Sequence, residues 1–274
     1  MKGVLYIVST PIGNLEDITL RALRVLKEVD VIAAEDTRHS LKLLNHYSIS
    51  KPLISYWGEK EKVKAEETLQ MLNAGKTVAL ITDAGTPGIS DPGSILIRKA
   101  IEENIKVIPI PGPTAVIAAL SISGFSTYAF IFRGFLPVKV SQRLRELKGF
   151  SLDPRTIVLY EAPHRIIETL ADIKEAFDDR RIVVIKEITK FYEEIFRGTA
   201  SVILEFLESS KIAGEYVIVI EGRPVEKLNT TEDALTEVKA LMKRGLRRKD
   251  AVKRIAEEYG ISKKELYDKS LSGV

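Results

Sequence analysis

Apolar runs alternate with amphipathic stretches along most of the chain. In the first half the apolar runs predict strands over residues 4–9, 31–36, 52–57, 76–83 and 106–111. The first intervening stretch predicts a helix from about Leu15 to Val29, with Asn14 as its N-cap. Such alternation predicts an α/β fold in which mainly parallel sheets are covered by helices.

A second α/β block follows an aromatic, turn-rich segment at 124–137, where we expect the chain to cross into another unit. Its apolar runs predict strands over 156–162, 182–189, 191–198 and 215–221. The two middle runs are adjacent enough to form an antiparallel pair.

The strand pattern stops after Gly222. Three short helical patterns then run from Thr230 to Leu271, and the third is opened by the capping box Ser262-Lys263-Lys264-Glu265. This arrangement is typical of a small helix-turn-helix unit. We therefore predict an N-terminal α/β domain at 1–118, a second α/β domain at 119–223 and a helical module at 224–274.

Three turns rich in Gly and Pro each follow a predicted strand. They are TPIGN at 10–14, TDAGTPGISDPG at 82–93 and PIPGPTA at 109–115. Such turns let bare backbone approach a ligand, and they occur where α/β proteins bind small molecules, beyond the carboxyl ends of strands. One such turn alone is a common connection between a strand and a helix and does not indicate a ligand site. Three together predict a ligand cleft.

The composition excludes several classes of site. The chain has no Cys, which excludes disulfides, thiolate nucleophiles and cysteine zinc sites, and its three His show no metal-ligand spacing. We predict no metal. No apolar run approaches the roughly 20 residues that span a bilayer, and the amino terminus is a strand pattern. We expect a soluble, cytoplasmic protein with no membrane partner.

The charge is unevenly distributed. Residues 1–223 carry 29 basic and 29 acidic side chains, so the formal net charge of +3 belongs to the tail. The segment from Lys243 to Arg254 contains seven basic residues and a single acidic one, Asp250. A solvated helix face explains such a cluster as well, but on a compact helical unit we interpret it as a nucleic-acid footprint.

Several segments together resemble the ribosomal RNA small subunit methyltransferase I family, of the tetrapyrrole-methylase-like class III methyltransferases. They are LYIVSTPIGNLEDITLRALRVLKEVDVIAAEDTRHSLKLLNHY, TDAGTPGISDPG, PGPTAVIAALSISGF, LYEAPHRI and KEITKFYEE. The resemblance implies S-adenosylmethionine-dependent 2′-O-methylation of a cytidine ribose in the decoding region of 16S rRNA. It also implies a homodimer that acts on the small ribosomal subunit, with its cofactor between two α/β domains.

The motifs of the resemblance indicate the cofactor-binding candidates, whereas position along the chain and charge indicate the catalytic and RNA-binding candidates. The cofactor-binding candidates are Pro11, Asp83, Ala84, Gly85, Thr86, Pro87, Pro113, Thr114, Ala115 and Tyr160. The catalytic candidates are Asp36, as acid/base group or its orienter, and Lys190. The RNA-binding candidates are Arg38, Arg165, Arg247, Arg248, Lys249 and Lys253. His39 is an alternative base because its pKa suits the task, although a His at a helix start is more often a surface residue.

The sequence departs from the family pattern at two places. Trp57-Gly58 stands where a histidine-containing segment is expected, which argues against an essential proton transfer there. Lys186 stands where Arg is expected, and it lacks the planar fork of Arg.

Three alternatives from other classes stay open. A tetrapyrrole C-methyltransferase shares the fold and the cofactor, but TPIGN in place of a glycine-rich first turn and the basic tail speak against it. A non-catalytic nucleotide-binding regulator is a second, and detection of methyl transfer in an assay would exclude it. A nucleic-acid-binding scaffold is a third, and it leaves the three turns unexplained.

Overall fold

A computed structural model of the chain describes residues 1–56, 61–208, 212–224, 231–243 and 245–271. The chain divides into two compact units, Met1–Arg223 and Pro224–Val274. In the described part, no helix is long and apolar enough to cross a membrane.

The first half of the larger unit forms a five-stranded sheet whose neighbouring strands are all parallel. The strands are β1 (Val4–Val8), β2 (Val31–Ala34), β3 (Leu53–Ser55), β4 (Val78–Ile81) and β5 (Lys106–Ile110). The helices that alternate with them are α1 (Leu20–Glu28), α2 (Thr37–His46), α3 (Glu61–Asn73), α4 (Ser94–Glu102) and α5 (Ala115–Ser123). The sheet order is β3-β2-β4-β1-β5, which places β1 between β4 and β5.

Both faces of this sheet are covered at its central strands β2, β4 and β1, as their apolar sequences require. Alternate residues point to opposite faces, so Val8 of β1 packs with α1 and α2, whereas Leu5 and Ile7 pack with α3 and α4. Each sheet face therefore has its own core.

The second half of the larger unit forms a mixed five-stranded sheet. Its elements are β6 (Phe130–Phe135), α6 (Val140–Phe150), β7 (Thr156–Glu161), α7 (Ile166–Phe177), β8 (Arg181–Lys186), β9 (Glu194–Thr199), α8 (Ala200–Glu208) and β10 (Tyr216–Ile220). The order is β6-β7-β10-β8-β9. Only the β6–β7 pair is parallel, because β10 pairs antiparallel with both β7 and β8, and β8 with β9.

Helix α5 joins the two sheets into one unit. Its apolar residues Val116, Ala119 and Leu120 pack on the face of the second sheet that α6, α7 and α8 leave open. Ile12, from the turn after β1, packs in the same cluster. The predicted boundary at 118/119 falls inside α5, and the three-domain division stays a prediction.

The structure corrects two local predictions. Helix α1 begins at Leu20, where Thr19 Oγ1 accepts a hydrogen bond from Ala22 N; Asn14 caps a separate 3₁₀ turn over Leu15–Asp17. The segment 124–137 was predicted only as the crossing between the two α/β units, but it contains strand β6.

The described residues of the smaller unit form three helices, α9 (Thr231–Lys243), α10 (Arg248–Tyr259) and α11 (Lys263–Leu271). They enclose a core of small and branched side chains that includes Ala234, Val252, Ile255 and Leu266. Ser262 caps α11 as predicted, because its Oγ accepts a hydrogen bond from Glu265 N at 3.4 Å.

Candidate functional site

Two of the predicted turns are joined by hydrogen bonds at the carboxyl end of β1. Thr10 N donates to Gly85 O at 2.8 Å, and Gly85 N donates to Thr10 O at 3.1 Å. Thr10 Oγ1 donates to Thr82 O at 2.9 Å, and the hydroxyls of Ser9 and Thr86 lie 2.7 Å apart. The turns after β1 and β4 therefore form one rigid surface.

The third turn packs against the residue that follows β1. A Cβ added to Gly112 would lie 2.9 Å from the Cβ of Ser9, so this approach requires glycine. On the opposite turn, Gly85 has φ +84°, a conformation that side chains rarely adopt. Glycine thus serves close approach in one turn and backbone conformation in the other.

The turns form one wall of a cleft of about 310 Å³, and the second sheet forms the other. This volume is typical of small-molecule sites. The cleft is lined by Ile12, Ala84, Gly85, Thr86, Ile89, Ser90, Asp91, Thr114, Ala115, Phe135, Tyr160, Glu161, Ala162, Pro163, Ile188, Lys190, Glu215, Tyr216 and Val217.

Six of the ten predicted cofactor-binding residues line the cleft, namely Ala84, Gly85, Thr86, Thr114, Ala115 and Tyr160. The other four, Pro11, Asp83, Pro87 and Pro113, are sequence neighbours of lining residues but are not part of the lining. Asp83 instead links two strand ends, because its Oδ1 accepts a hydrogen bond from Asp36 N at 3.1 Å.

Lys190 lines the cleft and is ion-paired on two sides. Its Nζ lies 2.7 Å from Glu187 Oε1 and 3.0 Å from Glu215 Oε2. Burial alone would lower the pKa of Lys190, but the hydrogen bonds to both carboxylates outweigh burial and raise it. Lys190 is therefore a fixed cation and is poorly suited to accept a proton at neutral pH.

Asp36 lies outside the cleft lining, at the N-cap of α2. Its Oδ1 accepts a hydrogen bond from Arg38 N at 2.8 Å, and its Oδ2 lies 2.9 Å from Arg38 Nη2. These hydrogen bonds from Arg38 lower the pKa of Asp36 to about 2. Such a carboxylate is a weak base, and its catalytic role stays a prediction.

Arg165 makes internal contacts in this structure. Its NH2 donates to Leu136 O at 3.0 Å and to Pro137 O at 3.2 Å, which holds the turn after β6. Its Nε lies 3.5 Å from Glu161 Oε1. A role in binding RNA stays a prediction for Arg165.

The predicted RNA-binding residues of the smaller unit lie at the start of α10 and along it. Arg247, Lys249 and Lys253 are exposed, and Arg248 is half-buried. Lys253 Nζ lies 4.0 Å from Glu257 Oε1.

Of the two departures from the family pattern, Trp57-Gly58 lies outside the described residues. Lys186 pairs across two antiparallel strands with Glu194, whose hydrogen bond raises the pKa of Lys186.

One side of the cleft is acidic, which was not predicted from the sequence. Asp91 lines it, and burial together with the negative charges of Glu35, Asp83 and Glu215 raises the pKa of Asp91 to about 7. Burial also raises the pKa of Asp83, with a contribution from Glu35. Asp91 lies in the 82–93 turn, for which the sequence predicts an approach of bare backbone to a ligand and no role for a carboxylate.

The other missed residues come mainly from the second sheet, and they carry no local signal. Phe135 belongs to the missed strand β6, and Ile188 and Glu215 reach the cleft only through the tertiary fold. Among the described residues, no group of three or more His, Asp or Glu is arranged to hold a metal ion.

Comparison with known proteins identifies the family. A family model described as Tetrapyrrole (Corrin/Porphyrin) Methylases matches residues 4–203. A relative from Synechocystis sp., named Ribosomal RNA small subunit methyltransferase I, is 45% identical over 272 residues that cover 98% of each chain. The chain belongs to the ribosomal RNA small subunit methyltransferase I family. The resemblance described above is thereby confirmed.

One further comparison concerns the family, and a second concerns the fold. A family member from Thermotoga maritima is 47% identical over 221 residues, which cover 81% of this chain and 99% of that relative. A uroporphyrin-III C-methyltransferase from Thermus thermophilus, solved in complex with S-adenosylhomocysteine, is 20% identical. It has a TM-score of 0.58 and covers 81% of this chain and 98% of that one. The predicted fold class is confirmed, and S-adenosylmethionine is confirmed as cofactor at the level of the family.

Proposed function

We propose that this member of the ribosomal RNA small subunit methyltransferase I family methylates the 2′-oxygen of a cytidine in the decoding region of 16S rRNA. The observation that carries this proposal is a relative named for the small ribosomal subunit that is 45% identical over 98% of each chain. The preformed cleft supports it. We further propose that the enzyme acts in the cytoplasm, as a homodimer, on the assembled subunit.

The residues that line the cleft supply the chemistry that S-adenosylmethionine requires. Ile12, Ala115 and Val217 offer apolar surface to the adenine ring, and the backbone at Gly85 offers polar groups with no side chain in the way. Asp91 and Glu215 supply negative charge for a cationic ligand. When bound, the cofactor supplies a methyl group on a positively charged sulfur.

The amino terminus of α5 suits the carboxylate of the methionine end. Thr114 occupies the N-cap, and with Ala115 it lines the cleft. The first N–H groups of a helix are free for a ligand, and the helix dipole favours negative charge there. Tyr160 lines the cleft as well, and its side chain packs against the cluster that contains Val116 of α5.

Methyl transfer from a sulfonium mainly requires alignment, because the leaving group is already activated. The linked turns after β1 and β4 hold the ligand side of the cleft rigid. Lys190 is held by Glu187 and Glu215, so we propose that it positions the ribose or a phosphate as a fixed cation.

Capture of the RNA is proposed for the helical unit. Arg247, Lys249 and Lys253 are exposed cations, as contacts to phosphate require. Recognition of rRNA depends on shape, so the assembled subunit is the expected substrate.

The test is tritium transfer from labelled S-adenosylmethionine to a panel of acceptors. We expect label in small subunits that lack the modification, little in naked 16S rRNA, and none in large subunits or uroporphyrinogen. Transfer to uroporphyrinogen alone would favour the alternative of tetrapyrrole C-methylation, which the name of the matching family model keeps open.

A further inference from the structure

The turn between β8 and β9, residues 187–193, lies at the cleft end of the second sheet. Lys186 of β8 and Glu161 of β7 both pair with Tyr216 of β10, so β7 and β8 end at the same edge. Glu161 and Tyr216 line the cleft, and so does Lys190 of the turn itself. The β8–β9 turn therefore borders the cleft.

Two adjacent aromatic side chains of this turn are exposed. Phe191 is 93% exposed and Tyr192 is 72% exposed, and their ring centroids lie 5.0 Å apart in an edge-to-face arrangement. A ring held in water forgoes the free energy that burial of its surface would contribute. Aromatic rings that are exposed together beside a ligand cleft are typical of a surface that binds a partner.

The backbone that carries the two rings has an unusual conformation. Glu187 has φ +53° and Thr189 has φ +68°, in the left-handed region that residues other than glycine rarely adopt. Conformations of this kind persist only where the surrounding structure fixes them, and they concentrate at functional sites.

Hydrogen bonds and packing hold this turn in place. Thr189 N donates to Glu193 Oε2 at 2.7 Å, Lys190 N to Glu187 O at 2.9 Å, and Glu193 N to Lys190 O at 3.1 Å. The turn after β1 packs so closely on the Lys190 side chain that Gly13 has no room for a Cβ. The rings are therefore carried on a preorganised backbone, which lowers the entropy cost of binding.

The charges of the turn distinguish between two kinds of RNA contact. The amino group of Lys190 is paired with Glu187 and Glu215, and the next three residues, 191–193, contribute two rings and the carboxylate of Glu193. Three residues without a cation do not attract phosphate. An uncharged base can stack on them, because unpaired bases of RNA are bound by stacking on aromatic side chains.

We infer that Phe191 and Tyr192 form a stacking surface for unpaired bases of the rRNA strand that enters the cleft. This inference rests on the proposed function. The rings bind bases that neighbour the target nucleotide, and they take no part in the chemical step. Recognition is thereby divided between two contacts: the cations of α10 bind phosphate, and the β8–β9 turn binds bases.

The test is the double variant Phe191→Ala/Tyr192→Ala, measured by filter binding to small subunits that lack the modification. The affinity should fall about 5- to 150-fold for each base that loses its stacking partner. The slope of log affinity against log salt should not change, because no contact to phosphate is lost. The single-turnover rate at saturating subunit should also be unchanged, since only uniform binding is removed. Calorimetry should show normal S-adenosylmethionine affinity, because neither ring is part of the cleft lining.

Two further double variants separate stacking from simple apolar contact. Phe191→Tyr/Tyr192→Phe keeps both rings and should bind subunits normally. Phe191→Leu/Tyr192→Leu keeps apolar surface but has no ring face, and it should bind as weakly as the Ala variant.

The matched control is Tyr128→Ala. Tyr128 is fully exposed and lies at the opposite end of the second sheet, just before Phe130, which pairs with Thr156 at the start of β7. Loss of this ring should leave subunit affinity normal. Melting temperatures should be similar in all four variants, because the replaced side chains are exposed.

Three outcomes would overturn the inference: normal subunit affinity in the double Ala variant, full affinity in the Leu variant, or an equal loss in Tyr128→Ala. Sedimentation of the double Ala variant as a smaller species than the wild type would also overturn it, because the rings would then belong to an interface between two copies of the chain. Failure of the wild type itself to bind and methylate small subunits would instead contradict the proposed function.

Discussion

The α/β unit and the helical unit differ in how they use charged side chains. In the α/β unit, charges are balanced and many are used internally: Arg143 is fully buried against Asp172, and Lys190 is held by Glu187 and Glu215. In the helical unit, cations such as Arg247 and Lys249 are exposed on a basic segment. Internal pairs fix geometry, whereas exposed cations attract phosphate. The comparison predicts that the first unit aligns the reactants and the second captures the RNA.

The largest expected effect is on cofactor binding, from Gly85→Val in the α/β unit. A β-branched side chain resists φ +84° and adds atoms at the cleft surface beside Ile12. We expect S-adenosylmethionine affinity to fall by roughly 10²-fold or more, as two lost or blocked contacts would produce. Calorimetry measures the affinity.

Gly124→Val is the matched control. Gly124 has φ +76°, so the backbone strain is similar, but an added Cβ meets no atom within 4 Å among the described residues. Gly124 is not part of the cleft lining. We expect similar loss of stability in both variants and normal cofactor binding in Gly124→Val alone. Undiminished binding by folded Gly85→Val would remove this turn from the site.

A smaller effect, confined to RNA capture, is expected from replacing Arg247, Arg248 and Lys249 by Ala. If each side chain contacts phosphate, the slope of log affinity against log salt should flatten by roughly two, at about 0.7–0.9 per contact. Filter binding to small subunits across a salt series measures the slope. The single-turnover rate at saturating subunit should not change, because these contacts position the RNA.

The control for this triple variant is Ala replacement of Arg21, Lys27 and Lys174, three exposed cations of the α/β unit. The same charge is removed, so a change in slope caused by net charge alone would appear in both. An unchanged slope in the α10 variant would indicate that the basic cluster is only a solvated helix face. It would contradict the prediction that the helical unit captures the RNA.

The smallest effect is expected from Asp36→Ala, on stability. Asp36 caps α2, and removal of an N-cap should lower the Tm by a few degrees. The folded-state pKa of about 2 lies below the usual range for Asp, so this stabilisation is present at neutral pH and is lost as pH falls towards 2. Thermal melts at several pH values should show the variant and wild type converging in acid. A rate loss of about 10²-fold with an unchanged Tm would instead place Asp36 in the chemistry.

The first sheet could be predicted because its central strands are short apolar runs that are largely buried on both faces. The runs VALI of β4 and VIAA of β2 are fully buried, and three of the five residues of β1 are buried. Strand β6 was missed because FIFRGF contains a register shift between Phe132 and Gly134 and leaves Phe130 and Phe135 exposed. A glycine, a charge and an irregular pleat obscure the strand period.

The turns of the cleft could be predicted for a local reason, since Gly and Pro determine backbone conformation by themselves. The wall from the second sheet could not, because Ile188 and Glu215 reach the cleft only through the pairing of β7, β8 and β10. Asp36 and Asp91 show the limit for carboxylates. Both lie in predicted loops, and only the structure distinguishes a helix cap from a half-buried group among other acids.

The central claim is that the methyl group is placed on a cytidine ribose of the small subunit. Small subunits lacking the modification should be incubated with the full chain and tritiated S-adenosylmethionine, and their 16S rRNA digested to nucleosides. The account predicts label in 2′-O-methylcytidine alone, from a single fragment of the decoding region. Label in a base-methylated nucleoside, in another ribose or in no rRNA nucleoside would contradict it.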